Sequence, residues 1–305
     1  MEHGYHGTTT NIKALRISAI LIFVYFIFEI IVAFITHSLA LLADAAHELS
    51  TVVAIGISLI AIELGARKPT PERTFGFLRL EVVAAFVNGL LLLGMAGFIL
   101  TRGFNRVMHP IEIPSTPMFI VGIGGIGLEI AALYIMYRGQ KENLNIRGAF
   151  WHVVNAFMGS IAVILAATFI FFGRVFVADA WAGIIFAFVL IWASYGLIRD
   201  SFNILIDTTP KNIYLVDIER DLKNINGVIE THHLHARAVA ENIKTFSGHL
   251  IVKDLKDSER ILREAKEILD IKYKFSLSTI QLENEELAES DTKELEYGER
   301  DHVDH

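Results

Sequence analysis

The chain has 305 residues, 53% of them hydrophobic, and a mean hydropathy of +0.46. Soluble domains are about 45–50% apolar, so this composition and its long uncharged runs exclude an ordinary soluble protein and a disordered scaffold. The formal charge of −7 comes entirely from residues 209–305, which hold 14 basic and 21 acidic residues. Cysteine is absent, which excludes disulfides, thiolate metal ligands and cysteine nucleophiles.

Six apolar segments are long enough to cross a bilayer, which takes roughly 20 residues. They cover about residues 14–36, 39–64, 80–103, 116–138, 145–172 and 177–198. The first is too long for a secretory signal and has no small-residue cleavage site, so we interpret it as a retained span. We therefore predict an α-helical membrane protein, with a six-helix transmembrane domain over residues 1–208 and both termini on one side.

Lys and Arg in the short loops predict the orientation, because such loops resist translocation. Ten of these residues fall on the side of the termini, whereas the opposite side has only Arg102, Arg106 and Arg174. We therefore predict that both termini and the acidic part of the chain lie in the cytoplasm. The membrane itself is expected to be the cell membrane.

Residues 209–285 have the pattern of a small α+β domain. A helix is predicted over about 215–225, strands near 228–238 and 244–252, a helix near 258–269 and a strand near 275–282. Asn226-Gly227 predicts the turn that precedes the first strand. Residues 286–305 are acidic and poor in large apolar side chains, which is typical of a disordered tail.

Polar residues inside the spans indicate function, because ionisable groups are costly in hydrocarbon and tend to mark transport pathways. Asp44, His47, Glu48 and Thr51 fall within an arc of about 100° on the second span. His152 and Asn155 share a face of the fifth. Two helices that each present an imidazole and oxygen donors could hold one divalent transition metal ion, Zn(II) or a related ion.

A structural alternative exists for each of these residues. A single intramembrane His or Asn often serves only as an interhelical hydrogen-bond donor worth about 1 kcal/mol, and for His152 alone the two interpretations are equal. Three ionisable residues within the five positions from Asp44 to Glu48 exceed what packing requires. The second span therefore carries the functional prediction.

Several motifs resemble the cation diffusion facilitators, the zinc-transporter family. In the membrane part these are residues 38–47, residues 73–81 with Asn88, residues 145–152, and Glu29. In the acidic part they are His232, His235, His249 and residues 279–283. The resemblance covers about residues 12–285 in the family's order. It implies a cytoplasmic ferredoxin-like domain over residues 209–285, which binds metal or dimerises, and a homodimer embedded in the lipid bilayer.

The resemblance also implies proton-coupled export of Zn(II) or a related ion (Fe, Mn, Co or Cd), without enzymatic activity or a nucleic-acid partner. His47 and His152 would be metal ligands whose protonation competes with the metal. His232, His235 and His249 either bind metal or are solvent-facing residues of a dimerisation module, and both interpretations stay open.

The sequence departs from the family pattern at the transport site. In zinc-transporting members each of the two histidines is followed four residues later by Asp, whereas this chain has Thr51 and Ala156. Two imidazoles alone leave a divalent charge uncompensated at low dielectric, so a working site needs other carboxylates. Asp44 and Glu48 are the first candidates, and Glu129 would contribute if the fourth span packs against the second.

A competing hypothesis takes the two missing carboxylates as a real loss. The protein would then be a transport-incompetent relative that senses metal, regulates, or stabilises a partner transporter. An intramembrane hydrolase is a weaker third possibility, since no Ser–His or paired-Asp arrangement stands out in the sequence.

Overall fold

A computed structural model describes residues 9–65, 70–137, 144–240 and 242–285. The chain divides into two compact units, Met1–Ser201 and Phe202–His305. The predicted tail, residues 286–305, lies outside the described residues. The predicted domain limits at 208 and 285 stay predictions.

Six long helices make up the first unit, and each is long and apolar enough to cross a membrane. They are α1 (Thr9–Thr36), α2 (Leu39–Gly65), α3 (Leu78–Met108), α4 (Ser115–Tyr137), α5 (Leu144–Gly173) and α6 (Val177–Leu205). Helices satisfy their backbone hydrogen bonds internally, which is why long apolar segments adopt them in lipid. The predicted six-span architecture is confirmed.

Close contacts between helices depend on small residues. α2 packs against α1, α3 and α5, while α4 packs against α1 and α5. α3 meets α6 where Gly89 faces Ile198 and Gly103 faces Ile184, at distances that leave no room for a β-carbon. Large apolar side chains such as Phe34 and Trp192 lie on the outer surface of the unit. This is the packing expected of membrane helices, in which small residues let backbones approach.

The N-terminus of α2 is capped by a residue of another helix. The buried Asp179 carboxylate, on α6, accepts hydrogen bonds from the Ser38 hydroxyl (2.5 Å) and from the backbone N–H groups of Leu39 (2.8 Å) and Ala40 (3.1 Å). The Arg106 guanidinium of α3 lies 3.9 Å from the same carboxylate. A carboxylate at this position satisfies otherwise unpaired amides and favours the helix dipole. Asp179 therefore ties α2, α3 and α6 together at one end.

Replacing Asp179 with alanine is expected to lower the free energy of unfolding by about 3 kcal/mol, because it leaves several buried donors without an acceptor. Asp179→Asn is the matched control and should lose less, since the amide oxygen still accepts. Thermal unfolding of the purified protein in detergent measures both. An alanine variant as stable as the wild type would contradict this role.

The second unit has the predicted order α-β-β-α-β. It comprises α7 (Leu215–Lys223), β1 (Val228–Ala240), β2 (Ile243–Val252), α8 (Ser258–Glu267) and β3 (Leu277–Glu283). β1 and β2 are antiparallel, and β2 and β3 are parallel, which gives a mixed three-stranded sheet. Ile218 of α7 and Ile261 of α8 are fully buried in one core with Leu234 and Leu250 of the sheet. Both helices therefore cover the same face, and the predicted α+β architecture is confirmed.

Candidate metal centres

The predicted polar series of α2 is buried inside the first unit. Asp44, His47, Glu48 and Thr51 are at most 9% exposed. The His47 ring meets the Phe186 ring of α6 in a T-shaped contact, with 6.0 Å between ring centroids. This face of α2 therefore points toward the neighbouring helices and away from the lipid-facing surface.

Asp44 reaches α5 and, through it, α4. The Ser160 hydroxyl of α5 lies 2.9 Å from Glu129 Oε1 and 3.4 Å from Asp44 Oδ2. At the neighbouring Gly159, a β-carbon would collide with the Asp44 carboxylate. One hydroxyl thus bridges carboxylates of two helices, and the absence of a side chain at Gly159 leaves space for one of them.

Four carboxylates from three helices lie within electrostatic range of one another, and we call them the acidic cluster. They are Glu29 of α1, Asp44 and Glu48 of α2, and Glu129 of α4. All four are at most 2% exposed. Among the residues that the structure describes, no Lys or Arg forms an ion pair with any of them. Such a concentration of buried acids is unfavourable unless a cation or protons compensate it.

Of the remaining predicted ligands of the first unit, the structure describes the side chain of Thr51 but not those of His152 and Asn155. His152 and Asn155 lie on α5, and their side chains are outside what the structure describes. The Thr51 hydroxyl donates a hydrogen bond to the backbone carbonyl of His47, at 3.2 Å. Since that donor is used within α2, Thr51 can offer a metal only its oxygen lone pair.

The sequence pattern gave only a weak signal for one residue of this site, Glu129, and did not predict another, Ser160. Glu129 depended on how α4 packs, and the structure joins it to Asp44 through Ser160. Ser160 was not predicted, because an isolated Ser in an apolar span is common and usually bonds to its own helix. The only available signal was the small pair Gly159-Ser160 on the same span as His152.

The second unit holds a separate histidine cluster. His232 and His233 of β1 and His249 of β2 each offer a ring nitrogen, and these atoms lie within 4.8 Å of one another. Buried Glu283, at the end of β3, approaches His249 Nδ1 to 2.7 Å and His232 Nε2 to 3.1 Å. Three imidazoles are a nitrogen donor set that suits Zn(II), and the Glu283 carboxylate is placed to accept a hydrogen bond from a ring N–H and so orient the ligands.

A β-bulge decides which histidines meet. The register between β1 and β2 shifts between His232 and His235, and His233 has a positive φ of 55°. The extra residue brings His233 beside His232, with ring centroids 4.3 Å apart. His235, which the sequence placed in this group, is exposed and pairs with Ser247 instead. The structure thus unites His232 and His249 and adds His233 in place of His235.

Replacing His233 with alanine is expected to weaken Zn(II) binding by the second unit by about 100-fold or more, since even outer-shell partners of a metal are worth 10–100-fold. His235→Ala is the matched control and should bind like the wild type, because His235 lies outside the cluster. Competition with a chelating dye on the full-length protein measures both. A greater loss of Zn(II) affinity in His235→Ala than in His233→Ala would show that the bulge does not select the ligands.

Comparison with known proteins matches both units. The cation efflux transmembrane domain matches residues 15–206, and the cation efflux protein cytoplasmic domain matches residues 210–285. A cadmium, cobalt and zinc/H(+)-K(+) antiporter of Bacillus velezensis is 37% identical over 289 residues, which cover 93% of this chain and 92% of that protein. The metal cation efflux system protein CzcD of Cupriavidus metallidurans is 33% identical, and the zinc transporter ZitB of Escherichia coli is 30% identical. These two matches cover 92% and 85% of this chain, and 89% and 83% of the respective relatives.

Six spans and a cytoplasmic α+β domain define an integral membrane transporter and not an enzyme. More specifically, the chain belongs to the cation efflux family, also called the cation diffusion facilitators, and is a cation efflux transporter.

Proposed function

We propose that the chain exports a divalent transition metal, Zn(II) or a related ion (Fe, Mn, Co or Cd), from the cytoplasm in exchange for protons. The observation that carries this proposal is the acidic cluster, four buried carboxylates on three helices around the α2 face that also holds His47. Buried acids without a basic partner favour a cation in their midst. The similar proteins include a cadmium, cobalt and zinc/H(+)-K(+) antiporter and a zinc transporter, which agrees with this chemistry.

The proposed transport site consists of His47 and His152 as nitrogen ligands, with Asp44 and Glu48 as the charged oxygen ligands. Asn155 and Thr51 would add neutral oxygens. In zinc-transporting members of the family, carboxylates stand at the positions of Thr51 and Ala156, so this site is altered. The buried acids of α2 supply the negative charge that the two substitutions remove.

Exchange with protons follows from the same ligands. An imidazole binds metal only in its neutral form, so a proton that enters from outside can displace an outgoing ion from His47 or His152. Alternating access would come from the helices rocking around the site, as in other secondary transporters. We further propose that the protein acts as a homodimer in the cell membrane, with both termini in the cytoplasm. Metal at His232, His233 and His249 would stabilise the cytoplasmic dimer.

One specific observation favours a second candidate, a transport-incompetent regulator. The positions four residues after His47 and His152 carry no carboxylate, while the cytoplasmic histidine cluster is preassembled. Such a protein would bind metal only in its cytoplasmic domain.

Flux into proteoliposomes separates the two candidates. Purified protein is reconstituted with an acidic interior, and Zn, Fe, Mn, Co and Cd are each offered outside while an internal dye reports uptake. We expect uptake of at least one ion that depends on the pH gradient, since inward metal movement would release internal protons. The matched control replaces His232, His233 and His249 with alanine, which should remove cytoplasmic binding and leave flux in place. Absence of flux for every ion would reject the transporter proposal in favour of the regulator.

A further inference from the structure

We propose that Glu29, Asp44 and Glu129 form a second cation site of oxygen ligands alone, which takes a hard divalent cation such as Mn(II). This inference rests on the proposed function, because it places the new site on the same transport path. It is distinct from the His47 site in its ligands, its helices and the ions that it favours. Only Asp44 belongs to both.

Several buried carboxylate oxygens of this group lack hydrogen-bond donors among the described residues. Both carboxylate oxygens of Glu29, Oδ1 of Asp44 and Oε2 of Glu129 receive no hydrogen bond from a described amide, hydroxyl or basic group. Glu29 is fully buried, and its carboxyl lies within hydrogen-bond reach of Asp44, a contact between two acids that needs a shared proton or a cation. Buried acceptors are almost always satisfied, so three helices that each contribute an unsatisfied one need a partner. A bound cation is such a partner.

Two glycines allow the oxygens of this group to pack closely. At Gly159 of α5 a β-carbon would strike Asp44, and at Gly125 of α4 it would meet the hydroxyls of Tyr25 and Ser160. Glycines at both positions therefore let the Asp44 carboxylate and the Tyr25 and Ser160 hydroxyls lie directly against the backbones of α5 and α4, where a larger residue would displace them. The Ser160 hydroxyl, located between Asp44 and Glu129, provides a neutral oxygen in the same space.

The ligand chemistry sets the class of ion. Carboxylate and hydroxyl oxygens suit Mg, Ca and Mn, whereas imidazole suits Zn, Cu, Fe and Ni. Glu29, Asp44, Glu129 and Ser160 offer oxygen only. Among the transition metals proposed for this transporter, Mn(II) fits such a site best.

The oxygen site and the His47 site follow one another along α2. Asp44 precedes His47 by three residues, which is a rise of about 4.5 Å along a helix. The distribution of Lys and Arg predicts that the start of α2 faces the outside of the cell. An exported ion would therefore pass from His47 to the oxygen site and exchange nitrogen for oxygen ligands on the way out, with Asp44 as the shared ligand.

Binding of Mn(II) to the full-length protein in detergent tests this inference. His232, His233 and His249 are replaced with alanine to remove the cytoplasmic ligands, and the loss of the aqueous Mn(II) signal in electron paramagnetic resonance reports binding. We expect one tightly bound Mn(II) per chain. Glu29→Gln and Glu129→Gln should each weaken it by at least about tenfold, since both remove a direct ligand. Glu112→Gln, at an exposed position between α3 and α4, is the matched control and should bind like the parent.

His47→Ala provides the discriminating comparison. It should lower Zn(II) affinity and leave Mn(II) affinity within about twofold, because imidazole is not part of the oxygen site. If Glu129→Gln does not fold, Glu129→Asp carries the same test, since it retracts the charge by one methylene.

Two results would overturn the oxygen site. One is Mn(II) binding that is unchanged in both glutamine variants, and the other is Zn(II) binding without any Mn(II) binding, which would mean that protons alone occupy the acidic cluster. Failure of the proposed function looks different: no ion would cross proteoliposomes, while Mn(II) would still bind and still depend on Glu29 and Glu129.

Discussion

His47→Ala is expected to reduce metal flux into proteoliposomes by at least about 100-fold. His47 is the imidazole of α2 in the proposed transport site, and it is buried on the same helix as Asp44 and Glu48. Loss of a direct ligand should exceed the 10–100-fold effect that outer-shell partners of a metal have. The alanine leaves the carboxylates without the nitrogen donor that suits Zn(II). Initial rates of Zn(II) uptake at a fixed pH gradient measure the effect.

Thr51→Ala is the comparison for His47→Ala, one turn further along the same buried face, because it removes at most a neutral oxygen ligand and leaves the imidazole in place. Its hydroxyl donates to the carbonyl of His47 and is worth about 1 kcal/mol, so flux should fall by no more than about fivefold. Loss of flux in Thr51→Ala together with normal flux in His47→Ala would contradict the proposed role of His47. Thr51 would then be the principal ligand on α2 and His47 a packing residue.

Gly159→Ala is expected to reduce flux by at least about tenfold. The new β-carbon would collide with the Asp44 carboxylate and would lie 3.0 Å from the Phe186 ring. Added methylenes in a close-packed site cost about 1–3 kcal/mol and force side chains to move. Asp44 is the side chain in the way, so its carboxylate should leave the position from which it meets Ser160. Uptake rates report the loss, and binding of Zn(II) to the protein separates ligand displacement from a slower transport step.

Gly124→Ala is the control for this substitution. It adds the same methyl group to α4, where nothing lies within 4 Å of the new atom. Flux should stay within about twofold of the wild type, because the added methyl group displaces no neighbouring side chain. Equal loss in the two variants would mean that any added methyl group disturbs the helices, and the specific role of Gly159 would be refuted.

The fold could be predicted from the sequence because its signals are strong and local. Six apolar segments have few alternatives in a bilayer, and their limits differ from the observed helices mainly at the ends, such as α3, which runs to Met108. The order of helices and strands in the second unit followed from periodicity and from the turn at Gly227, whose φ is +98°.

The sites could be predicted only where their residues share one helix. Asp44, His47 and Glu48 stand at helical spacing, so their common face was evident. The link from Asp44 through Ser160 to Glu129 depends on the packing of three helices, which no local pattern encodes. His233 depends on a β-bulge, which brings it beside its neighbour His232, whereas regular alternation would place the two on opposite faces of the sheet.

The most direct test of the account is pH-driven metal uptake by Asp44→Asn. Asp44 is 1% exposed and belongs to both proposed sites, and the amide keeps its shape while removing its charge. If buried carboxylates replace those missing at Thr51 and Ala156, the variant should fold like the wild type and lose uptake of Zn(II) and Mn(II) together. Uptake of both ions at the wild-type rate would contradict the account, because transport would then not need the charge of the acidic cluster at its centre.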